Sequence, residues 1–389
     1  MKSNKLFLTG GIVLSAIAFS STVHASPLVS IGDSATLHFV GNATVFSTSN
    51  VFRDEVGEVD DIVLTLTPGL QLTSGTGTSN VSYGATARYE IRKYDDRNEL
   101  DTELLNLSAY GKFENARLVA NASAAFFESQ TNTGAANVIG ALIESETTTL
   151  RLNAEYRLSP KFKFGAGISY EEKDYLTFTN AVADYDIVRL PFDLFYELTP
   201  KLDLSAGYTY SDRAVKDRTG DFVDTSYDSE VHFFNVGLRG ELMPKLTGTV
   251  KAGYRVREQS GGVKDESTLG LDASLVWATT PKLSNTITLG RDFGVAGVGD
   301  ATEETSIRLN SKYSISQQYF ASAVLGYRMR DYLAFGREDD IIDFGLSLSY
   351  VPNEYWTIST GYTYSENDSN AVGNSYTDNR YELSASLKY

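Results

Sequence analysis

Side chains able to do acid–base or metal chemistry are scarce along this chain of 389 residues, which has no cysteine and three histidines, His24, His38 and His232. Without cysteine, disulfide scaffolds, thiol catalysis and Cys-ligated zinc or iron–sulfur sites drop out. His232 alternates with Phe234 and Val236 and has Glu230 two residues away. That setting suits an aromatic-flanked residue at a strand end better than a catalytic dyad. No GxSxG, HExxH or phosphate-loop pattern occurs. The expectation is a protein that is not an enzyme and carries no cofactor or metal. A formal charge of −16 also disfavours a nucleic-acid partner.

What the chain does offer is charge placed at even spacings of two or four residues. Arg88, Glu90 and Arg92 form one such series; Arg151, Glu155 and Arg157, then Arg189, Asp193 and Glu197, form the next two. Lys251, Arg255 and Arg257, then Glu304, Arg308 and Lys312, and finally Arg328 and Arg330, complete the set. Apolar and aromatic residues fill the intervening positions. Leu150, Leu152, Ala154, Tyr156 and Leu158 lead into a turn, and Phe162, Phe164, Ala166, Ile168 and Tyr170 lead out of it. Period two means strands with one apolar and one polar face.

The elements that carry these charges are joined by a recurring turn. Ser159-Pro160-Lys161-Phe162, Thr199-Pro200-Lys201-Leu202, Met243-Pro244-Lys245-Leu246 and Thr280-Pro281-Lys282-Leu283 are successive copies, and Val351-Pro352-Asn353-Glu354 is a degenerate one. Their prolines lie 40, 44, 37 and 71 residues apart, with Ser316-Gln317-Gln318-Tyr319 where the omitted turn belongs. Proline presets the φ of a turn and is disfavoured inside a paired strand. The pattern predicts strands at 35–47, 60–72, 80–92, 102–113, 115–128, 144–158, 161–172, 185–199, 201–211, 229–242, 245–257, 267–279, 282–292, 303–315, 318–330, 340–350, 354–364 and 379–389. Short turns alternate with longer polar loops such as 128–143 and 212–228. The fold expected is an all-β, transmembrane, antiparallel up-and-down β-barrel of about 18 strands, with 16 possible because the first strand and the 102–128 hairpin carry the weakest pattern. Soluble sandwiches and propellers fit less well, because the apolar face runs the full length of every strand.

The first 25 residues read as a secretory signal. Lys2 and Lys5 precede an apolar run from Leu6 to Phe19, and Val23-His24-Ala25 fits a small-x-small cleavage site. The run is shorter than the roughly 20 residues a spanning helix needs. Residues 26–389 would then form a single barrel domain with formal charge −18, from 32 basic and 50 acidic residues. At the other end Tyr381, Leu383, Ala385, Leu387 and Tyr389 share one strand face, and the chain stops on an aromatic ring. This terminal strand resembles the signal that the barrel-assembly machinery reads in bacterial outer-membrane proteins. It implies a bacterial outer-membrane location with both termini periplasmic, short turns inside and acidic loops outside.

Near the start of the barrel stand Ser49-Asn50-Val51-Phe52-Arg53, Asp60-Asp61 and Leu66-Thr67-Pro68-Gly69-Leu70. This opening resembles that of the family "beta-barrel porin 2", over residues 36–72. The resemblance implies an outer-membrane barrel, with a link to exopolysaccharide systems in some members, and no catalytic residues.

A barrel of about 18 strands is wide enough for water unless loops fill it. No loop exceeds roughly 17 residues on this assignment, and no plug domain precedes the first strand; the sequence does not fix whether the lumen is open or plugged. The alternating series above would line it: Arg88, Arg92, Arg151, Arg157, Arg189, Asp193, Lys251, Arg255, Arg257, Arg308, Arg328 and Arg330 are the pore-lining candidates. Counted with the acidic members, this wall is net basic. The negative charge is expected in loops, at Asp54, Glu55, Glu58, Asp60 and Asp61, at Asp95, Asp96, Glu99 and Asp101, and at Asp339 and Asp340. A basic wall favours anionic solutes. Pairing of Arg and Glu between neighbouring strands is the simpler account of any single residue. Tyr170, Tyr208, Tyr210, Tyr327, Tyr350, Tyr362, Tyr364 and Tyr389 would form aromatic girdles on the outer face. The expected partners are outer-membrane lipid and lipopolysaccharide, the assembly machinery and small hydrophilic solutes. Passive diffusion is the function expected. Export of an exopolysaccharide, or a structural or adhesive barrel with a closed pore, are the alternatives.

Overall fold

The computed structural model describes residues 27–32, 35–75, 79–131, 140–216, 228–259, 265–334 and 336–389; the signal segment, residues 1–25, lies outside them. A short strand β1 (Val29–Ile31) precedes β2 (Ala35–Thr48), β3 (Asp61–Ser74), β4 (Val81–Tyr94), β5 (Thr102–Glu114), β6 (Leu118–Thr131) and β7 (Ile143–Arg157). Then come β8 (Phe162–Tyr175), β9 (Tyr185–Thr199), β10 (Leu202–Val215), β11 (Ser229–Met243), β12 (Leu246–Gln259) and β13 (Glu266–Thr280). The last are β14 (Leu283–Val295), β15 (Ala301–Ser314), β16 (Tyr319–Tyr332), β17 (Glu338–Tyr350), β18 (Trp356–Ser369) and β19 (Tyr376–Lys388).

Each strand from β2 onward pairs antiparallel with the next, and β19 pairs back onto β2 from Arg380↔Thr48 to Lys388↔Val40. The ring is therefore closed by 18 strands, and the sixteen-strand alternative falls: β5 and β6 are both present and pair from Asn106↔Phe127 to Glu114↔Val119. Closure pairs the backbone groups that an open edge would leave bare in hydrocarbon. The chain's end takes part, since Tyr389 and Phe39 exchange backbone hydrogen bonds of 2.6 and 2.8 Å. Strand β1 was not expected. It folds back on Ala35, Thr36 and Leu37, the part of β2 that β19 does not reach.

Two corrections concern the strands themselves. They run 13 to 15 residues rather than about ten, and the excess lies at the long-loop end, as in β10 and β18. Charged residues such as Asp212 and Arg213 read as loop in sequence. Above the apolar belt, however, water tolerates polar side chains on both faces while the backbone ladder continues. The second correction concerns proline. Pro68 and Pro191 lie within β3 and β9, and there the ladder lapses on one side: β3 pairs β4 at Leu66↔Ile91 and next at Gly69↔Arg88, and β8 pairs β9 at Ala166↔Phe192 and next at Ser169↔Arg189. A residue without an N–H cannot complete the ladder on both sides.

The short turns are held by the residue before the proline. Ser159 Oγ accepts from the N–H groups of Lys161 and Phe162, and Thr280 Oγ1 from those of Lys282 and Leu283. Ser316, Asn115 and Asn353 do the same in turns that lack the Pro-Lys pair. These are ST- and Asx-turns, which replace the missing ladder partners at a strand end. Met243 has no such oxygen, and its turn instead places Lys245 at φ 66°.

At the opposite end the loops do not all stand clear of the barrel. Residues 176–184, between β8 and β9, meet residues 296–300, between β14 and β15. The Ala183 N–H donates to the Gly297 carbonyl at 2.9 Å. Val298 packs on the buried cluster Ile143, Tyr175 and Val182 and also on Ala296 and Tyr332. Strands β9 and β14 are five apart in the ring, so this contact is a chord across the interior. Loop length alone did not show that these loops turn inward. The segment between β2 and β3 is likewise tied in, with Asn50 bonded to Asp54 in both directions and Asp54 accepting the Gly140 N–H at 2.9 Å.

Candidate channel lining

Register decides which face each residue occupies, because Cα partners on neighbouring strands share a face. Leu150, Leu152, Phe192, Leu194, Leu204, Val236, Tyr254, Leu325 and Leu346 are exposed and share the outer face with one another. The opposite positions are the inner face. Arg88 and Arg92 on β4, Arg151 and Arg157 on β7, Arg189 and Asp193 on β9, Lys251, Arg255 and Arg257 on β12, Arg308 on β15, and Arg328 and Arg330 on β16 all occupy it. The companions Glu90, Glu155, Glu197, Glu304 and Lys312 do too.

These residues meet in ion pairs. Nearest the short turns, Asp203 receives Lys163 at 3.0 Å and Arg239 at 2.8 Å, and Arg239 also reaches Glu155 at 2.5 Å while lying 3.7 Å over the Phe195 ring. At mid-height Lys251 meets Asp193 at 2.6 Å. Toward the loops Arg255 reaches Asp272 at 2.7 Å and Asp292 at 3.0 Å, and stacks 3.7 Å from the Phe233 centroid. Elsewhere on the inner face Arg92 pairs with Glu90, Arg330 with Glu304, Arg308 with Asp343 and Arg380 with Glu382.

The wall also carries acidic residues that the sequence series did not include. Asp203, Asp272, Asp292 and Asp343 occupy the same face and sit between the arginines, and the unpicked cations Arg213, Arg239 and Arg380 join them. Strict alternation carried through each strand finds these residues; stopping the strands early, as at β10, hides them. The loop assignment changes as well. Asp339 is an inner-face residue of β17 bonded to Arg337, while Asp340 is on the outer face. Asp61 begins β3 and accepts the N–H groups of Asp96 and Arg97, so it organises the next loop. Asp101, in that loop, is held below the usual carboxylate range by the Tyr94 N–H and by Lys93. Burial pushes Asp54 above it.

On the outer face the tyrosines mark the two ends. The Tyr327 hydroxyl donates to Asp340 and that of Tyr364 to Glu366, each at 2.8 Å, and Tyr208 meets His232 Nδ1 at 2.9 Å. Each ring lies in the apolar belt with its hydroxyl turned to the polar side, the usual interfacial arrangement. His232 is part of this girdle. Tyr381 and Leu383 are 61% and 59% exposed on the same outer face as Ala385, Leu387 and Tyr389.

A closed ring of 18 antiparallel strands, apolar outside and ion-paired inside, defines an outer-membrane β-barrel of the porin type. Residues 42–389 match the family described as "Putative beta-barrel porin 2", and the chain belongs to that family. Among solved structures it is similar to OccK3 (OpdO) of Pseudomonas aeruginosa, at 14% identity over 90% of this chain and 96% of that one, with a TM-score of 0.46. It is also similar to OpdK of Pseudomonas aeruginosa, at 12% identity over 92% and 100% of the two chains, with a TM-score of 0.47. A third is the ferric enterobactin receptor of the same organism, at 10% identity over 90% and 80%, with a TM-score of 0.45. These likenesses concern the fold. No curated protein sequence matches the chain.

Proposed function

We propose that the barrel provides passive diffusion of small hydrophilic solutes across a bacterial outer membrane, with both termini on the periplasmic side. The observation that carries this is the inner face itself, polar and charged from Lys163 near one end to Arg257 near the other. A polar lumen is what a water-filled path requires, and a ring of 18 strands is wide enough to hold one. Most inner-wall charges are already paired, so sieving by size is the first selectivity and charge the second. Arg88, Arg151, Arg157 and Arg328 are the further wall residues assigned to the solute path. The outward strip Tyr381, Leu383, Ala385, Leu387 and Tyr389 would serve the assembly machinery during insertion, and the girdles would contact lipid and lipopolysaccharide.

Swelling of liposomes carrying the folded protein tests this. Small sugars and amino acids should enter at rates that fall with size, and equal exclusion of all solutes would contradict it. A second reading, a barrel closed at its outer mouth, draws on the chord between residues 176–184 and 296–300; it predicts no swelling until that chord is shortened.

A further inference from the structure

Directly below the chord, on the inner face, four guanidinium groups from three strands come together. Arg213 lies near the end of β10, Arg189 lies on the adjacent β9, and Arg255 and Arg257 come from β12, one strand beyond β10's other neighbour. All three others lie within the electrostatic reach of Arg213. Three of the four are almost wholly enclosed, with Arg213 1%, Arg257 2% and Arg255 5% exposed.

The carboxylates that face them do not use up their donors. Asp292 is shared between Arg255 at 3.0 Å and Arg213 at 3.7 Å, beyond a good hydrogen bond for the latter. Asp272 is bonded to Arg255, and Glu266 stands 3.6 Å from Arg257. Nε and Nη1 of Arg213, Nε of Arg255 and Nε of Arg257 are buried without a hydrogen-bond partner. Arginine cannot relieve this by losing its proton. An enclosed cation with unmet donors is among the costliest groups a protein can hold, so a cluster of them calls for an acceptor. The surroundings strengthen any such contact: Ile187, Val215, Val231 and Phe233 are buried around the cluster and keep water from screening it.

We infer that Arg189, Arg213, Arg255 and Arg257 form a binding subsite for a small oxyanion, a carboxylate or a phosphate, on the inner wall beneath the loop chord. The inference rests on the channel reading for its purpose, since it makes the subsite a station on the solute path. Guanidinium forks match the two oxygens of a carboxylate or phosphate in a plane. Asp272 and Asp292 hold the arginines in position and limit the excess of positive charge there. Sequence spacing alone did not reveal it, because Arg213 lies past the point where the strand pattern fades.

The test uses the full folded chain in detergent, titrated calorimetrically with sodium succinate and, separately, with sodium phosphate at low ionic strength. Saturable binding of one equivalent is expected for at least one of them, weakened by about tenfold or more in Arg213→Gln, as expected for loss of a charge-assisted contact. Because Arg213 is deeply buried, Arg189→Gln, on a half-buried residue, is the second variant and should weaken binding in the same direction. Folding of each is checked by the heat-dependent shift of its electrophoretic mobility. Succinate binding without phosphate binding assigns the site to carboxylates, and the reverse to phosphates. Absence of binding by the folded wild-type chain, or unchanged affinity in both variants, overturns the proposal. Conductance of the same preparation in potassium chloride separates the two layers: binding without conductance leaves the subsite and removes the channel, while conductance without binding does the opposite.

Discussion

At the scale of single residues the inner wall is a set of shared ion pairs rather than a uniform basic surface. Arg255 illustrates why. It engages Asp272, Asp292 and the Phe233 ring together, so removing it uncovers carboxylate charge on the inner wall. The Arg255→Ser, Arg257→Ser double variant should therefore shift the reversal potential in a salt gradient toward cation preference, and an unchanged reversal potential would refute a role for these residues in selectivity. Stability should fall only modestly, by about 1 kcal/mol, because the carboxylate partners are a third to a half exposed and solvent screens the pairs. The inner position of Arg255 was readable from alternation alone. Its partners were only partly so: Asp272 follows the same rule within β13, but its nearness to Arg255 depends on the register between β12 and β13, which no local pattern specifies.

At the scale of elements, the turns and the loops differ in how much the sequence disclosed. The Pro-Lys turns were plain because proline is conspicuous, yet the side chain that closes them is the preceding Ser or Thr. Thr280→Ala removes the acceptor for the Lys282 and Leu283 N–H groups. It should lower stability by about 1 kcal/mol, the net worth of a typical hydrogen bond, measurable in a urea titration of the folded barrel; Pro281→Ala should cost less, since no hydrogen bond is lost. The loop chord was invisible, since it depends on the contact of Ala183 with Gly297 and of Val298 with two clusters far apart in the chain. Gly299 makes the chord sensitive. Its φ is +89°, and an added Cβ would come within 3.0 Å of Ala183 and 3.1 Å of Val215. Gly299→Val should displace the loop and raise single-channel conductance, and a conductance equal to the parent's would show that the chord does not restrict the path.

At the scale of the whole molecule, the charge of −16 proves to be a distribution. Carboxylates such as Glu230, Glu258, Asp340 and Glu366 crown the outer face just beyond the tyrosine girdle, others staple loops, and others sit between the arginines of the inner wall. The 42% hydrophobic content is similarly divided, since each strand turns one face to lipid and the other inward. Strand number, order and facing followed from period-two alternation and turn spacing, because in a membrane barrel these local patterns are forced by the need to pair every backbone group. The closure by Tyr389 and Phe39, the lapses at Pro68 and Pro191 and the inward loops followed from nothing local. The central claim, a water-filled path through the ring, is tested most directly by single-channel recording of the folded protein in a planar bilayer with potassium chloride. Discrete, stepwise conductance is predicted, larger in Gly299→Val than in the parent. A correctly folded barrel that stays electrically silent in both forms would contradict it.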